Sequence, residues 1–141
     1  MKQIVQEFLA TLERKGFKHH DIIEDSENDM VIVPMGFQLE NTMFTISVYF
    51  ENDASHVALR CFDLLKVNDQ QFAQAVLCCN DLNKNVRWVK FYVDPDDNKV
   101  SVEDDAIVSE GTAGEEIVEL VLRMAAIADK AYPDLNRAIW A

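Results

Sequence analysis

Residues 87–132 read RWVKFYVDPDDNKVSVEDDAIVSEGTAGEEIVELVLRMAAIADKAY, and this stretch decides the fold. It opens with two alternating runs, Trp88–Asp94 and Lys99–Asp105, around an acidic turn. Val89, Phe91 and Val93 share one face of the first run; Val100 and Val102 continue the hairpin in the second. A long apolar helix follows from about Ala113 to Tyr132. Ile117, Leu120, Val121, Met124, Ile127 and Ala131 recur at helical spacing and form its main stripe. Val118, Leu122 and Ala125 form a second apolar face, so the helix is expected to be covered on two sides.

Thr112-Ala113-Gly114-Glu115 has the pattern of a capping box at the start of that helix. Glu119 and Arg123 stand four apart and support each other on its surface. Pro133 disfavours helical geometry at Tyr132 and is expected to end the helix there. Asp134 would then cap a separate short helix through Trp140.

Outward from this stretch, residues 2–15 read as an amphipathic helix with Ile4, Val5, Phe8, Leu9 and Leu12 inward and Gly16 as its stop. Phe17–Glu24 reads as irregularly extended, and residues 25–29 as a polar loop. Met30–Met35 is an apolar strand, with Pro34 placing its end at a sheet edge or bulge. Met43–Phe50 is the clearest strand, with Phe44, Ile46, Val48 and Phe50 on one face. After a turn at Glu51-Asn52-Asp53, Val57, Leu59 and Cys61 share a face of the strand His56–Phe62. Short connections make an antiparallel meander the economical arrangement. Asn68 or Asp69 caps a second helix, about Gln70–Leu82, with Phe72, Val76, Cys79 and Leu82 as its stripe and Ala73 and Leu77 on a flank. Asn80, Asn83 and Asn85 mark its exit.

At 141 residues and 49% hydrophobic content, residues 1–141 are expected to form a single α+β domain that folds without metal or disulfide. A net charge of −12 opposes nucleic acid and anionic membrane surfaces. The acidic balance reads first as solubility and second as a preference for basic partners. Three cysteines, Cys61, Cys78 and Cys79, form no CxxC pair and point to a reduced, cytoplasmic protein. No run approaches the roughly 18 apolar residues of a membrane span, and Glu7 interrupts any signal-peptide core.

Two candidate metal sites deserve weighing. Asp94, Asp96, Asn98 and Asp105 fall at calcium-loop spacings, but Lys99 stands where the loop needs glycine, and strands replace the flanking helices. His19 and His20 are neighbours that point to opposite faces of an extended chain, and His56 is distant. No metal or cofactor is expected. Cys78 and Cys79 have no local base and read as structural, so no catalytic residue is assigned and the protein is expected not to be an enzyme.

Asn80-Asp81-Leu82-Asn83, Lys90–Asp94, Val100–Glu103, Gly111, Glu115, Arg123-Met124 and Ile127–Pro133 together resemble the YbjN family. The similarity runs from about Leu77 to Trp140, and the first half agrees in its order of elements. These are bacterial proteins described as sensory transduction regulators, with a fold similar to class I type III secretion chaperones. The resemblance implies an α-β-β-β-α-β-β-α order with an antiparallel sheet packed against helices, and no catalytic residue. It also suggests a homodimer.

The leading function is a non-enzymatic protein-binding module, chaperone-like or regulatory. Its partner would be a protein or peptide client, held by strand addition or as a helix in a groove. Lys90, Val118, Leu122, Arg123, Asp129 and Tyr132 are the candidate binding residues; Arg123 and Asp129 read first as locally paired structural charges and second as part of a binding groove. The alternative is a small-ligand sensor or enzyme with a pocket near Arg123, Asp129, Tyr132 and Lys90. A dimer would use either Val118 and Leu122 or Ala73 and Leu77. A monomer would instead fold Leu135, Ile139 and Trp140 back over that flank.

Overall fold

The computed structural model describes residues 2–51 and 55–140. Met1 and the expected turn residues Asn52 and Asp53 lie outside them. Among the described residues three helices, α1 (Gln3–Lys15), α2 (Phe72–Asn85) and α3 (Ala113–Trp140), accompany six strands. The strands are β1 (Ile23–Asp25), β2 (Met30–Gln38), β3 (Met43–Phe50), β4 (His56–Lys66), β5 (Lys90–Asp94) and β6 (Lys99–Ile107). The expected α+β class holds. Its order gains one short strand, β1, in the stretch read as irregularly extended.

The sheet is antiparallel throughout, in the order β1-β2-β3-β4-β6-β5. The first four strands form the expected meander. After α2 the chain enters at the far edge as β5, and β6 returns into the gap beside β4. Phe44, Ile46, Val48 and Phe50 are buried on the inner face, with Val57 and Leu59 of β4 opposite Phe50 and Val48, and Val100 and Val102 of β6 buried beyond them. The helices pack on this face: Phe8 of α1 lies 5.7 Å from Phe50, ring centre to ring centre. On the outer face Arg60 of β4 bridges Glu103 and Asp105 of β6. Pro34 sits inside β2, where its carbonyl accepts the His20 N–H, so the edge beside a residue with no N–H of its own is taken up by a loop.

Three local expectations are corrected. Pro133 does not end the third helix; α3 runs unbroken to Trp140. A proline there cannot donate to the Asp129 carbonyl four residues back. Asn41, in the β2–β3 turn, donates its side-chain Nδ2 to that carbonyl at 3.2 Å, which satisfies the orphaned acceptor. With no break, Leu135 and Ile139 are buried as further turns of α3, while Trp140 is 72% exposed, so no fold-back helix exists. The expected capping box also fails: Glu115 instead pairs with Arg14 and Lys15 of α1. Thr112 donates its hydroxyl to Glu116, which accepts the Ser109 N–H as well. In α2 the buried residues are Ala75 and Cys79, and Val76 is exposed. Of the expected stripe Cys79 is buried and Phe72 and Leu82 are partly buried against the core, while Ala75 takes the inward place given to Val76. Asn68 is the cap, in a reciprocal box with Gln71 that opens a short 3-10 turn.

Candidate functional site

The α2–β5 corner begins with the exit of α2. Asn83 on its last turn reaches β5, giving Nδ2 to the Phe91 carbonyl at 2.9 Å and taking the Phe91 N–H at 2.7 Å. A side-chain amide thus fills the place of a neighbouring strand at Phe91 on this edge. Lys90 turns back and donates to the carbonyls of Asn83 and Val86, placing its charge at the negative end of α2. Between them Trp88 has φ 74°, and the Val89 N–H donates to the Arg87 carbonyl across it at 2.8 Å. This is a γ-turn of positive φ, an uncommon and strained geometry for a residue with a Cβ. The Trp88 ring is 56% exposed, and Arg123 of α3 stands 6.0 Å from its centre while also paired with Glu119.

Next to this corner α2 and α3 border an open groove of about 410 Å³. Leu82 and Val86 line one wall and Ile127 and Ala131 the other; Arg87, Lys130, Asn85 and Asp134 form the rim. Of the residues expected to bind, Arg123 lies one helical turn from this groove on α3, and Lys90 just beyond it in the chain. Tyr132 is half-buried against the core. Val118 is buried to 5% exposure and offers no surface; Leu122 beside it is only partly exposed.

Asp129 is drawn the other way. It is 8% exposed, and its carboxylate takes the Asn41 N–H at 2.9 Å, the Thr42 N–H at 3.1 Å and the Asn41 Nδ2 at 3.2 Å. It fastens the β2–β3 turn to α3. None of Arg123, Asp129, Tyr132 and Lys90, the residues of the small-ligand alternative, lines this groove. The groove residues that sequence reading passed over are Val86, Arg87 and Lys130. One signal was available: residues 82–93 hold three cations and no carboxylate, in a chain of net charge −12.

The other ionisable candidates are spent elsewhere. Asp94 accepts the Asp96 N–H and Asp97 the Lys99 N–H within the β5–β6 turn, and Asp105 faces Arg60 on the outer sheet. Among the described residues no group of three or more His, Cys, Asp and Glu is placed to hold a metal. The three cysteines are unpaired, and burial pushes the Cys61 and Cys79 thiols up to about 12. Burial raises Cys78 as well.

Among the described residues Asp104 is the one buried carboxylate without full partners: its Oδ2 makes no hydrogen bond. Burial and then the neighbouring Asp105 make it a weaker acid, with its pKa pushed up to about 6. A folded-state value above the ordinary 3.8 means that the folded chain holds this proton longer than the unfolded chain does. Stability is therefore lost as pH rises from about 4 to about 6. Asp104→Asn should raise stability at pH 7 by about 1–2 kcal/mol, allowing for partial solvation of the group. The gain should shrink below pH 6 and vanish near pH 4, as followed by urea titrations across that range. A gain that does not change with pH would show that Asp104 is ionised at no cost.

Three helices laid on one face of a six-stranded antiparallel sheet, with a groove open between α2 and α3, define an α+β protein. The chain belongs to the YbjN family, described as "Putative bacterial sensory transduction regulator", which it matches over residues 5–137. That span reaches well into the first half of the chain, beyond the motif run from Leu77. The crystal structure of YbjN, "a putative transcription regulator from E. coli", superposes with a TM-score of 0.68 at 11% identity, covering 94% of this chain and 91% of that one. At that identity the likeness is one of fold. A chain from the "Structure of the HopA1-SchA Chaperone-Effector Complex" gives a TM-score of 0.49 at 12% identity, over 89% of this chain and 93% of that one. No curated protein matches the sequence.

Proposed function

We propose that this protein is a non-enzymatic binding module for other proteins, of regulatory or chaperone type, acting in the bacterial cytoplasm. The observation that carries it is where apolar surface is left open. Leu77 is 66% exposed and Val76 is also exposed on α2, and Trp88 stands out beside the α2–α3 groove. The sheet edges offer less: Asn83 pairs with Phe91 on β5, and β1 and His20 pair with β2 from Met30 to Pro34. Of the two ways a client could be held, this favours a helix in a groove over an added strand. Membership of a family described as regulators agrees with a role exerted through partners.

The reading includes a homodimer. With Val118 buried, the open flank is that of Ala73, Val76 and Leu77 on α2. Sedimentation at micromolar concentration should show a dimer that Leu77→Glu converts to a monomer. The full chain used as bait in a bacterial lysate should enrich a small set of proteins, while a panel of metabolites leaves its melting temperature unchanged. A metabolite that raises Tm by about 4 °C or more, with no protein captured, would overturn the reading in favour of a small-ligand sensor.

A further inference from the structure

We propose that the α2–α3 groove receives an amphipathic helix of a partner protein whose polar side is acidic, read by Arg87 and Lys130; this rests on the protein-binding reading above. The floor is apolar, with Leu82, Val86, Ile127 and Ala131 presented by the two helices and the residue after α2. Its volume of about 410 Å³ lies within the roughly 300–1,000 Å³ of sites that take ligands. It is open along its length, so it accepts side chains offered by another surface and does not enclose a molecule.

The charge of the rim selects the occupant. Of five arginines in the chain, Arg14, Arg60, Arg123 and Arg137 each pair with a carboxylate. Arg87 has no such partner among the described residues, and neither has Lys130 across the groove. Asp134, the one carboxylate on the rim, is already engaged by Arg137. Two unpaired cations over an apolar floor, Arg87 within an acid-free run of a chain of net charge −12 and Lys130 facing it on α3, favour a partner that brings carboxylates beside its apolar residues. Arg87 and Trp88 are consecutive. The strained turn that holds the Trp88 ring out places an aromatic anchor at the end of the groove, where such rings carry much of an interface's energy.

The shape argues for a helix. Asn83 already fills the β5 edge at Phe91, so a strand has little to pair with there. From Arg123, over Trp88, to Asp134 is twelve residues of α3, eleven rises or roughly 16 Å, about three turns of a helix lying alongside. A second copy fits poorly. The acidic first half of its α3 has Glu115 paired to Arg14 and Lys15 and Glu119 paired to Arg123.

The test uses 16-residue peptides displayed on phage and selected against the full chain, with dissociation constants of synthetic copies measured by fluorescence anisotropy. Expected are sequences with apolar residues three and four apart and at least two Asp or Glu. Their binding should weaken tenfold or more in Arg87→Glu and in Lys130→Glu, weaken with added salt, and be unchanged in Ile23→Ser on β1, the sheet edge opposite β5. Arg87 and Lys130 are exposed, so both variants should fold, which circular dichroism checks. Peptides that bind every variant alike, or that are basic, would overturn the groove and leave the protein-binding reading standing. No enrichment at all would count against both. A dimer that Arg87→Glu dissolves would show the groove to be an interface between copies, and would overturn the acidic-helix occupant.

Discussion

Asp129→Ala should destabilise the protein by about 3 kcal/mol, read from urea midpoints at pH 7. The carboxylate takes two backbone N–H groups on one oxygen and the Asn41 amide on the other. Hydrogen bonds to a charged acceptor contribute about 1.5–3 kcal/mol each. Water can reach Asn41, which is exposed, so the total stays well below the sum of three. Asp129→Asn is the informative control. One oxygen still serves Asn41 N–H and Thr42 N–H, but an NH2 now faces the Asn41 amide. If Asn41 flips to answer it, the bond that Asn41 makes to the Asp129 carbonyl is lost. Asparagine should therefore cost less than alanine but more than nothing, about 1–2 kcal/mol. A change below 1 kcal/mol for alanine would mean that the β2–β3 turn is held by its own geometry. It would also remove the stated reason why α3 passes through Pro133 unbroken.

That same contact marks the limit of what could be read from the residues in order. The strands were legible because period-two alternation is a local signal, as in Phe44, Ile46, Val48 and Phe50. Pro133 was misread because its rescue comes from Asn41, 88 residues away in sequence. No local rule contains that partner. The one misplaced position of the α2 stripe, Val76, was misread for a different reason. Val76 outranks Ala75 in hydrophobicity, yet Ala75 and Cys79 are small, and small side chains let α2 lie close to its neighbours. On α3 the register was right: Ile117, Val121, Met124 and Ala131 are buried, and Leu120 and Ile127 are partly so. On the second face Val118 and Ala125 are covered within the chain, as expected of a helix packed on two sides, while Leu122 stays exposed. Of the binding residues, Arg123 and Lys90 were placed beside the groove by their helix and strand positions. Arg87 was not singled out, since what distinguishes it is the lack of a partner, a property of the fold.

Gly114→Ala should destabilise the protein by about 2–3 kcal/mol, although alanine is the better helix former by roughly 1 kcal/mol. The sign is decided by the crossing of α1 and α3. A Cβ on Gly114 would stand 2.1 Å from Thr11 Oγ1 and 2.6 Å from the Glu7 carbonyl oxygen. Thr11 is itself buried and donates to that same carbonyl at 2.8 Å, so it has little room to turn away. The backbone oxygen cannot move unless α1 does, and overpacking of this kind costs about 1–3 kcal/mol, occasionally more. Moving α1 also pulls on the loop before α3, because the Glu7 carboxylate accepts the Gly111 N–H at 2.8 Å. Two variants separate the causes. Thr11→Ala in the Gly114→Ala background removes the closer clash and should recover part of the loss, but only part, since the carbonyl contact remains. Gly111, at φ 95° with open space around it, should behave differently: Gly111→Ala is penalised by its backbone conformation alone, and Thr11→Ala should not relieve it. Urea denaturation of the four variants reads out both effects. Full recovery by Thr11→Ala would show that the helices are held apart by one hydroxyl. No loss in Gly114→Ala would show that α1 can slide, and that the α1–α3 seam is not a fixed part of the scaffold that carries the groove.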